Sequence, residues 1–314
     1  MAYSNYIART DAEALIPEEA MRSIIQSVPQ ASAVMRRARR LPNMSRKTFR
    51  MPVLSGLVTA GFVNGDTGLK STANAEWRDV FIYAEEIAAI VPIPEAVLAD
   101  ADYDIWSEVQ PQIIEEFGRV FDAAVLRGTN APSSWPDDLL TAATAASHAI
   151  TLGTGADLYE DIMGESGVLS KVEEDGYMPN GHIGALSMRA KLRGLRDSNG
   201  NPIFNRVVQS ATMYELDGAP IDFPANGAMD ASDALLFSGD WSQLVYSVRQ
   251  DITYKVLDQA VIQDGSGNIV FNLAQQDMVA LRCVMRIGWA LPNPTNRVNT
   301  NDATRYPFAV LLPA

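Results

Sequence analysis

Apolar residues recur at intervals of three and four between residues 104 and 127, and this spacing predicts one long amphipathic helix from Asp104 to Arg127. Asp104 is suited to cap the first turn, and Gly128 is suited to follow the last one. At roughly 1.5 Å per residue the helix would be about 36 Å long, with a kink at Pro111, because proline cannot donate the backbone hydrogen bond. The apolar stripe consists of Trp106, Val109, Ile113, Phe117, Val120 and Ala124.

Residues 54–76 differ in character from the segments on either side of them. Lys47–Val53 and Trp77–Tyr83 each have the pattern of a strand, whereas residues 54–76 contain several glycines, turn-forming sequence and few large apolar side chains. This arrangement predicts a long hairpin that projects from the body, and an arm of about 13 residues would reach ~40 Å. Since so long a hairpin is marginally stable alone, we expect it to become ordered on a neighbouring copy of the chain. The alternative is an ordinary disordered loop.

The rest of the chain shows a mixture of helical and strand patterns, which predicts an α+β protein. Residues 1–16 have little helical pattern and suggest an extended arm, and a short helix with Met21, Ile24, Ile25 and Val28 on one face follows from Pro17. The other expected elements are a loop over residues 129–155, a helix over about 157–174, a strand His182–Leu186, a helix capped by Ser187 and ending at Arg196, and, within a mostly strand-like region from residue 216 onward, strands Met278–Ala290 and Phe308–Leu312.

Length and composition indicate a large folded chain. It has 314 residues, 47% of them apolar, which allows a sizeable core divided over one large or two smaller lobes. No stretch of 18 uninterrupted apolar residues is present, so a membrane span is not expected, and the first residues lack the pattern of a signal peptide. The single cysteine, Cys283, excludes an internal disulfide and fits a reducing cytoplasm.

Charge is unevenly distributed along the chain. The net charge is −13, but residues 1–50 hold nine Lys and Arg against four Asp and Glu, a balance of +5 that leaves −18 for the other 264 residues. An acidic body repels phosphates and is a poor non-specific binder of nucleic acid. The basic segment Arg36–Arg40 has no interleaved aromatic residues to stack on bases, and we expect it to pair with acidic surface on the same or a neighbouring subunit.

Sequence signatures of catalysis and metal binding are weak. The two histidines, His148 and His182, and Cys283 do not have the spacing of a metal site, and Cys283 lies in an apolar run typical of a buried residue. Three aspartate-rich turns, beginning at Asp100, Asp197 and Asp264, lack the glycine and glutamate that a calcium loop requires at its sixth and twelfth positions. Neither a phosphate-binding loop nor a serine nucleophile elbow occurs. We therefore expect no cofactor and no catalytic residue.

Short motifs occur in a fixed order over residues 15–312, nearly the whole chain. They are Ile16–Glu19, Ser27–Val34, Phe49–Val53, Ala75–Trp77, Ala123–Gly128, Leu195–Ile203, Leu216–Ile221, Leu236–Ser242, Ala280–Arg282 and Pro307–Val310. In this order and spacing they resemble the major capsid proteins of tailed bacteriophages. Each motif is weak alone, and the resemblance rests on the whole set.

The resemblance implies the Hong Kong 97-type phage capsid fold. This α+β fold has an N-terminal arm, an extended loop, a peripheral domain with a long spine helix, and an axial domain. The implied division assigns residues 1–35 to the arm and short helix, residues 36–53, 77–135 and 271–314 to the peripheral domain, residues 54–76 to the extended loop, and residues 136–270 to the axial domain. The side chains expected to make inter-subunit contacts in the extended loop are Phe62, Asn64, Asp66, Leu69 and Lys70.

The function implied is that of a shell subunit. Copies would assemble as pentamers and hexamers into an icosahedral head, built in the host cytoplasm, that encloses double-stranded DNA in the virion without sequence-specific binding. Scaffolding, portal and decoration proteins are the further partners implied, and a membrane is not. Alternatives are an encapsulin-type nanocompartment shell, which shares the fold but encloses cargo enzymes, and a soluble α+β enzyme or carbohydrate-binding protein.

Two features differ from many members of the family. Only about 16 residues precede the first predicted helix, so a long N-terminal scaffolding segment is lacking, supplied separately, or already removed. Some relatives also join neighbouring subunits by a lysine–asparagine isopeptide bond. Lys70 could take part here, with Asn293, Asn296 or Asn299 as the acceptor, although an exposed lysine in a loop is ordinary.

Overall fold

The computed structural model describes residues 31–63, 69–70, 72–100, 105–195 and 214–314. Helices and strands are interspersed along these residues, as expected for an α+β protein. The helices are α1 (Ala33–Arg37), α2 (Glu95–Asp100), α3 (Ile105–Arg127), α4 (Leu139–Ala145), α5 (Leu158–Met163), α6 (Val168–Glu174) and α7 (Leu186–Gly194). The strands are β1 (Arg39–Arg40), β2 (Thr48–Gly56), β3 (Glu76–Tyr83), β4 (Glu85–Pro94), β5 (Ala149–Thr151), β6 (Gly181–Gly184), β7 (Tyr214–Leu216), β8 (Ala219–Asp222), β9 (Leu236–Gly239), β10 (Val245–Leu257), β11 (Val261–Gln263), β12 (Ile269–Asn272), β13 (Met278–Ala290) and β14 (Phe308–Leu312).

A four-stranded sheet in the order β1-β10-β13-β4 supports the long helix α3. Strand β13 pairs antiparallel with β10 on one side and β4 on the other. Aromatic rings join the helix to the sheet: Phe121 of α3 lies 5.9 Å from Trp135 and 6.4 Å from Tyr246 of β10, and Trp135 lies 6.5 Å from Trp289 of β13. The largest apolar core of the described residues thus includes the layer between α3 and this sheet, and it extends to Phe237 of β9 and Val310 of β14.

A second, six-stranded sheet has the order β5-β14-β9-β6-β8-β7. Helices α5, α6 and α7 contribute Ile162, Val168, Leu169, Val172 and Met188 to a separate core against it. Two-stranded sheets formed by β2 with β3, and by β11 with β12, complete the strand pairings of the described residues. The six-stranded sheet contributes side chains to both cores, since Ile183, Phe237 and Val310 belong to the largest one. The expected division into lobes stays a prediction.

The strongest sequence patterns are confirmed. Helix α3 ends at Arg127 as predicted, Pro111 lies inside it, and Gly128 follows it in the left-handed backbone region. Of its predicted stripe, Ile113, Phe117 and Ala124 are buried. Strands β13 and β14 have the predicted bounds, and β2 and β3 match their predictions within a few residues. The predicted cap Asp104, the N-terminal arm and the first short helix lie outside the described residues.

The single helix predicted over 157–174 is wrong, because it is interrupted between α5 and α6. The interruption is the sequence Gly164-Glu165-Ser166-Gly167. A Cβ at Gly164 would lie 2.5 Å from the Glu160 carbonyl oxygen, and a Cβ at Gly167 would lie 2.8 Å from the Ile162 carbonyl oxygen. The chain turns too tightly here for a side chain, and glycine permits the turn at the expense of helix continuity.

Two smaller predictions are also wrong. The segment 129–155 is not a structureless loop, because Asp138 caps α4 by accepting a hydrogen bond from the Thr141 N–H at 2.9 Å, and β5 follows. Its alanines and threonines resemble loop composition, yet alanine is the strongest helix former. Ser187 does not cap α7. The helix begins at Leu186 after Ala185, whose N–H bonds Leu235 O and thereby fixes the starting point.

Two strands pair across the implied domain division. Strand β10, which lies within 136–270, pairs with β13, and β14, which lies within 271–314, pairs with β9. Strand β10 is continuously buried only over its first four residues, one of which is Ser247, so its sequence does not reveal which sheet it joins. The implied domain boundaries after residue 135 and after residue 270 therefore stay a prediction.

Candidate assembly interface

The extended hairpin consists of β2, β3 and the residues between them. The two strands are antiparallel, with Thr48 opposite Tyr83 at the base. Ile82 anchors the base because it is fully buried. The hairpin crosses β13 at Gly288, where a Cβ would lie 2.3 Å from the Tyr83 carbonyl oxygen. Only glycine allows this close approach, so the base of the hairpin is held firmly on the four-stranded sheet.

Beyond its base, the hairpin presents side chains to solvent. Phe62 and Leu69 have relative exposures of 109% and 97%, and Lys70 is exposed as well. Burying a phenylalanine or leucine against another molecule would contribute roughly 1.5–3 kcal/mol each. Three of the five predicted contact residues are therefore accessible. Asn64 and Asp66 lie outside the described residues, and the contact itself stays a prediction.

A second exposed apolar surface lies at the opposite end of β13. It is formed by the end of β10 and the β11–β12 hairpin, and we call it the distal surface; its members are Val256, Val261, Ile269 and Val270. Leu257 of β10 lies opposite Ala280 of β13, whereas the extended hairpin crosses β13 at Gly288, near its other end. The sequence analysis expected a mostly strand-like region with a turn beginning at Asp264, which agrees with this hairpin, but it did not single out the two strands or their exposed apolar residues.

Two arginines of the basic segment Arg36–Arg40 form ion pairs within the chain. Arg37 Nε donates to Asp222 Oδ2 at 2.6 Å, and Arg36 Nη1 donates to Asp222 Oδ1 at 3.0 Å. This confirms the expected pairing with acidic surface for these two residues. Arg39 and Arg40 form β1 and remain exposed beside β10.

The loop between β13 and β14, residues 291–307, binds the base of the extended hairpin, and we call it the polar loop. Arg78 of β3 donates from Nη2 to the carbonyl oxygens of Pro292 at 3.1 Å and Asn293 at 3.0 Å. Arg78 Nη1 lies 3.0 Å from Asp302 Oδ2. Main-chain contact adds to this, because the Thr295 N–H donates to the Leu54 carbonyl oxygen at 3.0 Å.

Inside the polar loop, Arg305 is almost completely buried and links the two ends of the loop. Its Nη2 donates to the Asn293 carbonyl oxygen at 3.0 Å and pairs with Asp302, the same two residues that Arg78 engages. Its Nη1 donates to the Asn299 carbonyl oxygen at 3.1 Å. Because a buried cation is costly unless its donors are satisfied, this set of acceptors holds the loop in one shape.

On its other side the polar loop is bound by the turn after α6. Asp175 accepts hydrogen bonds from Asn299 Nδ2 and from the Tyr306 N–H, each at 2.7 Å. His148 Nε2 lies 3.2 Å from the same carboxylate. Tyr177 OH donates to Asn293 Oδ1 at 2.7 Å. The sequence analysis did not group these residues: it considered His148 only for a metal site and Asn293 and Asn299 only as cross-link acceptors. Scattered Asn, Asp, Tyr and Arg in a loop have no periodicity that would group them.

Asp122 of α3 fixes the start of α1. Its carboxylate accepts hydrogen bonds from the Ser32 hydroxyl, from the Ala33 N–H at 2.7 Å and from the Val34 N–H at 3.2 Å. Burial raises the pKa of Asp122 to about 6, against the opposing effect of these three hydrogen bonds and of the Arg36 charge. The first described residues are thus attached to α3 through a carboxylate that titrates just below neutral pH.

The residues with potential for chemistry make structural contacts. His182 is buried between Ser238 Oγ at 2.9 Å and the Leu216 carbonyl oxygen at 3.1 Å, and burial lowers its pKa to about 4. Burial raises the pKa of the Cys283 thiol, which makes it a poor nucleophile. Asp264 accepts hydrogen bonds from backbone N–H groups within its own turn, in agreement with its interpretation as a turn residue.

Within the ranges that the structure describes, His, Cys, Asp and Glu side chains are not grouped in threes that could hold a metal ion. Nor does any helix of those ranges combine the length and apolar character that crossing a membrane requires.

The three asparagines considered as cross-linking acceptors already have intramolecular partners. Asn293 is buried and donates to the Arg305 carbonyl oxygen at 2.8 Å. Asn296 donates to the Asp175 carbonyl oxygen at 2.6 Å, and Asn299 donates to the Asp175 carboxylate. A covalent bond to Lys70 of another copy would have to displace these contacts, and it stays a prediction.

Comparison with known proteins gives a family match and related sequences. The model of the phage capsid family matches residues 12–296. The major capsid protein of Staphylococcus phage 80alpha is 26% identical over 220 residues, 69% of this chain and 63% of its own length. That of Klebsiella oxytoca phage phiKO2 is 25% identical over 270 residues, 82% of this chain and 60% of its own length. The chain thus spans less than two thirds of the length of either relative.

Solved structures resemble the chain over its whole length. A chain from Microbacterium phage Oxtober96 has a TM-score of 0.84 and 38% identity, with 99% of this chain and all of that chain covered. These neighbours are of the Hong Kong 97 type, so the predicted fold is confirmed.

Proposed function

The chain belongs to the phage capsid family, and from that membership we propose that it is a major capsid protein whose copies build the pentamers and hexamers of an icosahedral head. The role is mechanical and involves no catalysis. The names of the relatives in phages 80alpha and phiKO2 support a shell that encloses a genome over one that encloses cargo enzymes.

The observation that carries the proposal is the placement of exposed apolar side chains at opposite ends of β13. Phe62 and Leu69 lie on the hairpin that leaves the sheet near Gly288, and the distal surface lies beyond the other end of the same strand. The 13 residues of β13 extend over roughly 40 Å. The hairpin and the distal surface thus start from opposite ends of a long strand, which favours contact between copies over contact within one subunit.

Two different surfaces at opposite ends suit a head-to-tail contact between copies. In such a contact the hairpin of one subunit covers the distal surface of the next, and repetition about a rotation axis closes a ring. We assign Phe62, Asn64, Asp66, Leu69 and Lys70 to this contact. The six-stranded sheet, whose strands other than β14 lie within the predicted axial segment 136–270, would meet its copies around the axis of the ring.

The finer partners follow from the same role. Double-stranded DNA would be enclosed without sequence reading, because the chain beyond residue 50 carries a net charge of −18 and repels phosphates. Assembly would take place in the host cytoplasm, where a single buried thiol stays reduced. Scaffolding, portal and decoration proteins would bind the assembled rings.

A mixing experiment tests the head-to-tail contact. One variant lacks residues 57–73 and can only receive a hairpin, and the other carries Ile269→Asp on the distal surface and can only donate one. Each variant alone should remain a folded monomer, since Ile269 and the described residues between 58 and 73 are exposed. Their mixture should form a heterodimer that grows no further, as measured by native mass spectrometry.

Different results would count against specific parts of the proposal. Normal shells from the variant lacking residues 57–73, seen by negative-stain microscopy, would remove the hairpin from the assembly contact. Absence of the heterodimer, with shells lost in both variants, would contradict the pairing of these two surfaces. Particles of the unaltered chain that contain protein cargo in place of DNA would favour a nanocompartment.

A further inference from the structure

The polar loop contacts the base of the extended hairpin on one side and the turn after α6 on the other. We propose that the polar loop is a strut that sets the angle at which the hairpin leaves the subunit, with Arg78 as the positioning residue that attaches the hairpin to it. This inference rests on the proposed function, in which the hairpin must reach a neighbouring copy.

The hairpin side of the strut has three attachment points spread along both strands. Arg78 of β3 binds the Pro292 and Asn293 carbonyl oxygens, Leu54 of β2 accepts from the Thr295 N–H, and Arg297 Nη2 donates to the Val58 carbonyl oxygen at 2.9 Å. Attachment at several points resists rotation of the hairpin, whereas attachment at one point would allow it to pivot.

The other side of the strut is buried and held by the turn after α6. The Asp175 carboxylate, which has a side-chain exposure of 8%, accepts hydrogen bonds from Asn299 and Tyr306, and Tyr177 donates to Asn293. The Arg305 side chain is completely buried between the two sides and shares Asn293 and Asp302 with Arg78. A displacement at the hairpin is therefore opposed by the interior of the subunit.

Small angular errors at the base would become large displacements at the tip. The 19 residues from 57 to 75 allow each arm of the hairpin to extend by at most about 33 Å. A swing of about 10° would then move the tip by about 6 Å, which exceeds the ~4.8 Å spacing between neighbouring strands. A displacement of that size would move Phe62 and Leu69 off any contact made on the neighbour.

Arg78 can be tested without disturbing the core, because it and Asp302 are about two fifths exposed, with side-chain exposures of 38% and 42%. The test variant is Arg78→Met, which keeps length and removes the donors. The matched control is Arg50→Met on the same hairpin, since Arg50 pairs with Asp79 at 3.4 Å and the described contacts include none between it and the polar loop. Asp302→Asn serves as a second variant: it removes the carboxylate charge that pairs with both Arg78 and Arg305 and leaves the carbonyl contacts of Arg78.

Three quantities are measured on the full chain: the melting temperature of unassembled subunits, amide exchange of the Thr295 N–H, and the diameter distribution of assembled particles. Arg78→Met and Arg50→Met should both remain folded and unfold in a single cooperative transition, with the melting temperature of Arg78→Met the lower of the two. In Arg78→Met only, Thr295 exchange should rise about tenfold, the change expected when charge-assisted hydrogen bonds beside it are lost. The fraction of regular shells should fall several-fold in Arg78→Met, and to a lesser extent in Asp302→Asn.

Regular shells from Arg78→Met at the yield of Arg50→Met would overturn the inference, as would unchanged exchange at Thr295. These failures can be told apart from failure of the proposed function. If deletion of residues 57–73 abolishes shells while Arg78→Met assembles normally, the proposed hairpin contact is supported and the proposed role of the strut is contradicted. If the deletion leaves shells intact, the hairpin contact itself falls, whatever Arg78 does.

Discussion

Asp122 makes the stability of the subunit depend on pH in a direction opposite to that of an ordinary paired carboxylate. Burial raises its pKa from 3.8 to about 6 in the folded chain. Between those two values the folded state binds more protons than the unfolded state. The contribution of Asp122 to stability is thus fully present below about pH 4 and is lost as the pH rises through about 6.

The size of this effect follows from the difference between the two pKa values. A difference of about two units corresponds to about 3 kcal/mol, at roughly 1.4 kcal/mol per unit. About half of that change should fall above pH 5, by the same linkage relation. This range is convenient because the chain has a pI of about 4.6 and is least soluble near that pH.

The assay is urea unfolding of unassembled subunits between pH 5 and pH 7.5, comparing the unaltered chain with Asp122→Asn. Other carboxylates titrate in both proteins, so the quantity of interest is the difference between their free energies of unfolding. That difference should change by about 1–2 kcal/mol over this range, to the disadvantage of the unaltered chain at higher pH.

Ser32→Ala provides an independent check on the cause. The Ser32 hydroxyl donates to the Asp122 carboxylate and favours its ionised form. Its removal should therefore move the pH-dependent change to higher pH. A difference between unaltered chain and Asp122→Asn that stays constant from pH 5 to pH 7.5 would refute the reasoning, since it would mean that Asp122 is ionised throughout.

Two further predictions concern the hairpin. Gly288→Ala should lower the free energy of unfolding by about 1–3 kcal/mol, because its Cβ would overlap the Tyr83 carbonyl oxygen; thermal unfolding measures this, and an unchanged melting temperature would show that the crossing can relax. Assembled particles should give a single band at 34.2 kDa on a denaturing gel, because the acceptor asparagines are engaged within the subunit; a ladder of multiples lost in Lys70→Arg would instead establish the cross-link.

Prediction from sequence succeeded where periodicity carries the information. The stripe containing Ile113, Phe117 and Ala124 identifies α3 because a helix buries every third or fourth residue, and β13 is long and apolar enough to be recognised directly. The break between α5 and α6 was missed because the helical spacing of apolar residues continues across Gly164 and Gly167, whereas the helical backbone is interrupted there.

The contacts of the candidate site were less accessible to such reasoning. Exposure of Phe62 and Leu69 followed from the glycine-rich character of their segment. The polar loop did not, because Arg78 and Asp302 are 224 positions apart and meet only after both sheets have formed. Hydrogen-bonding partners so distant in sequence have no local pattern that would connect them.

The two parts of the interface differ in chemistry for a physical reason. Apolar contact is non-directional, so the hairpin tip and the distal surface can tolerate the slightly different neighbours that a closed shell of pentamers and hexamers requires. Hydrogen bonds to charged groups depend on distance and angle, so the network of Arg78, Arg305 and Asp175 suits the part of the subunit that must not vary. Adaptable contact at the tip is useful only if the base holds the tip in the same position in every copy. An apolar base would let the hairpin shift on the subunit, because apolar contact does not fix its direction. A polar tip would bind only neighbours whose hydrogen-bonding groups match it. Exchanging the two chemistries would therefore impair assembly at both ends.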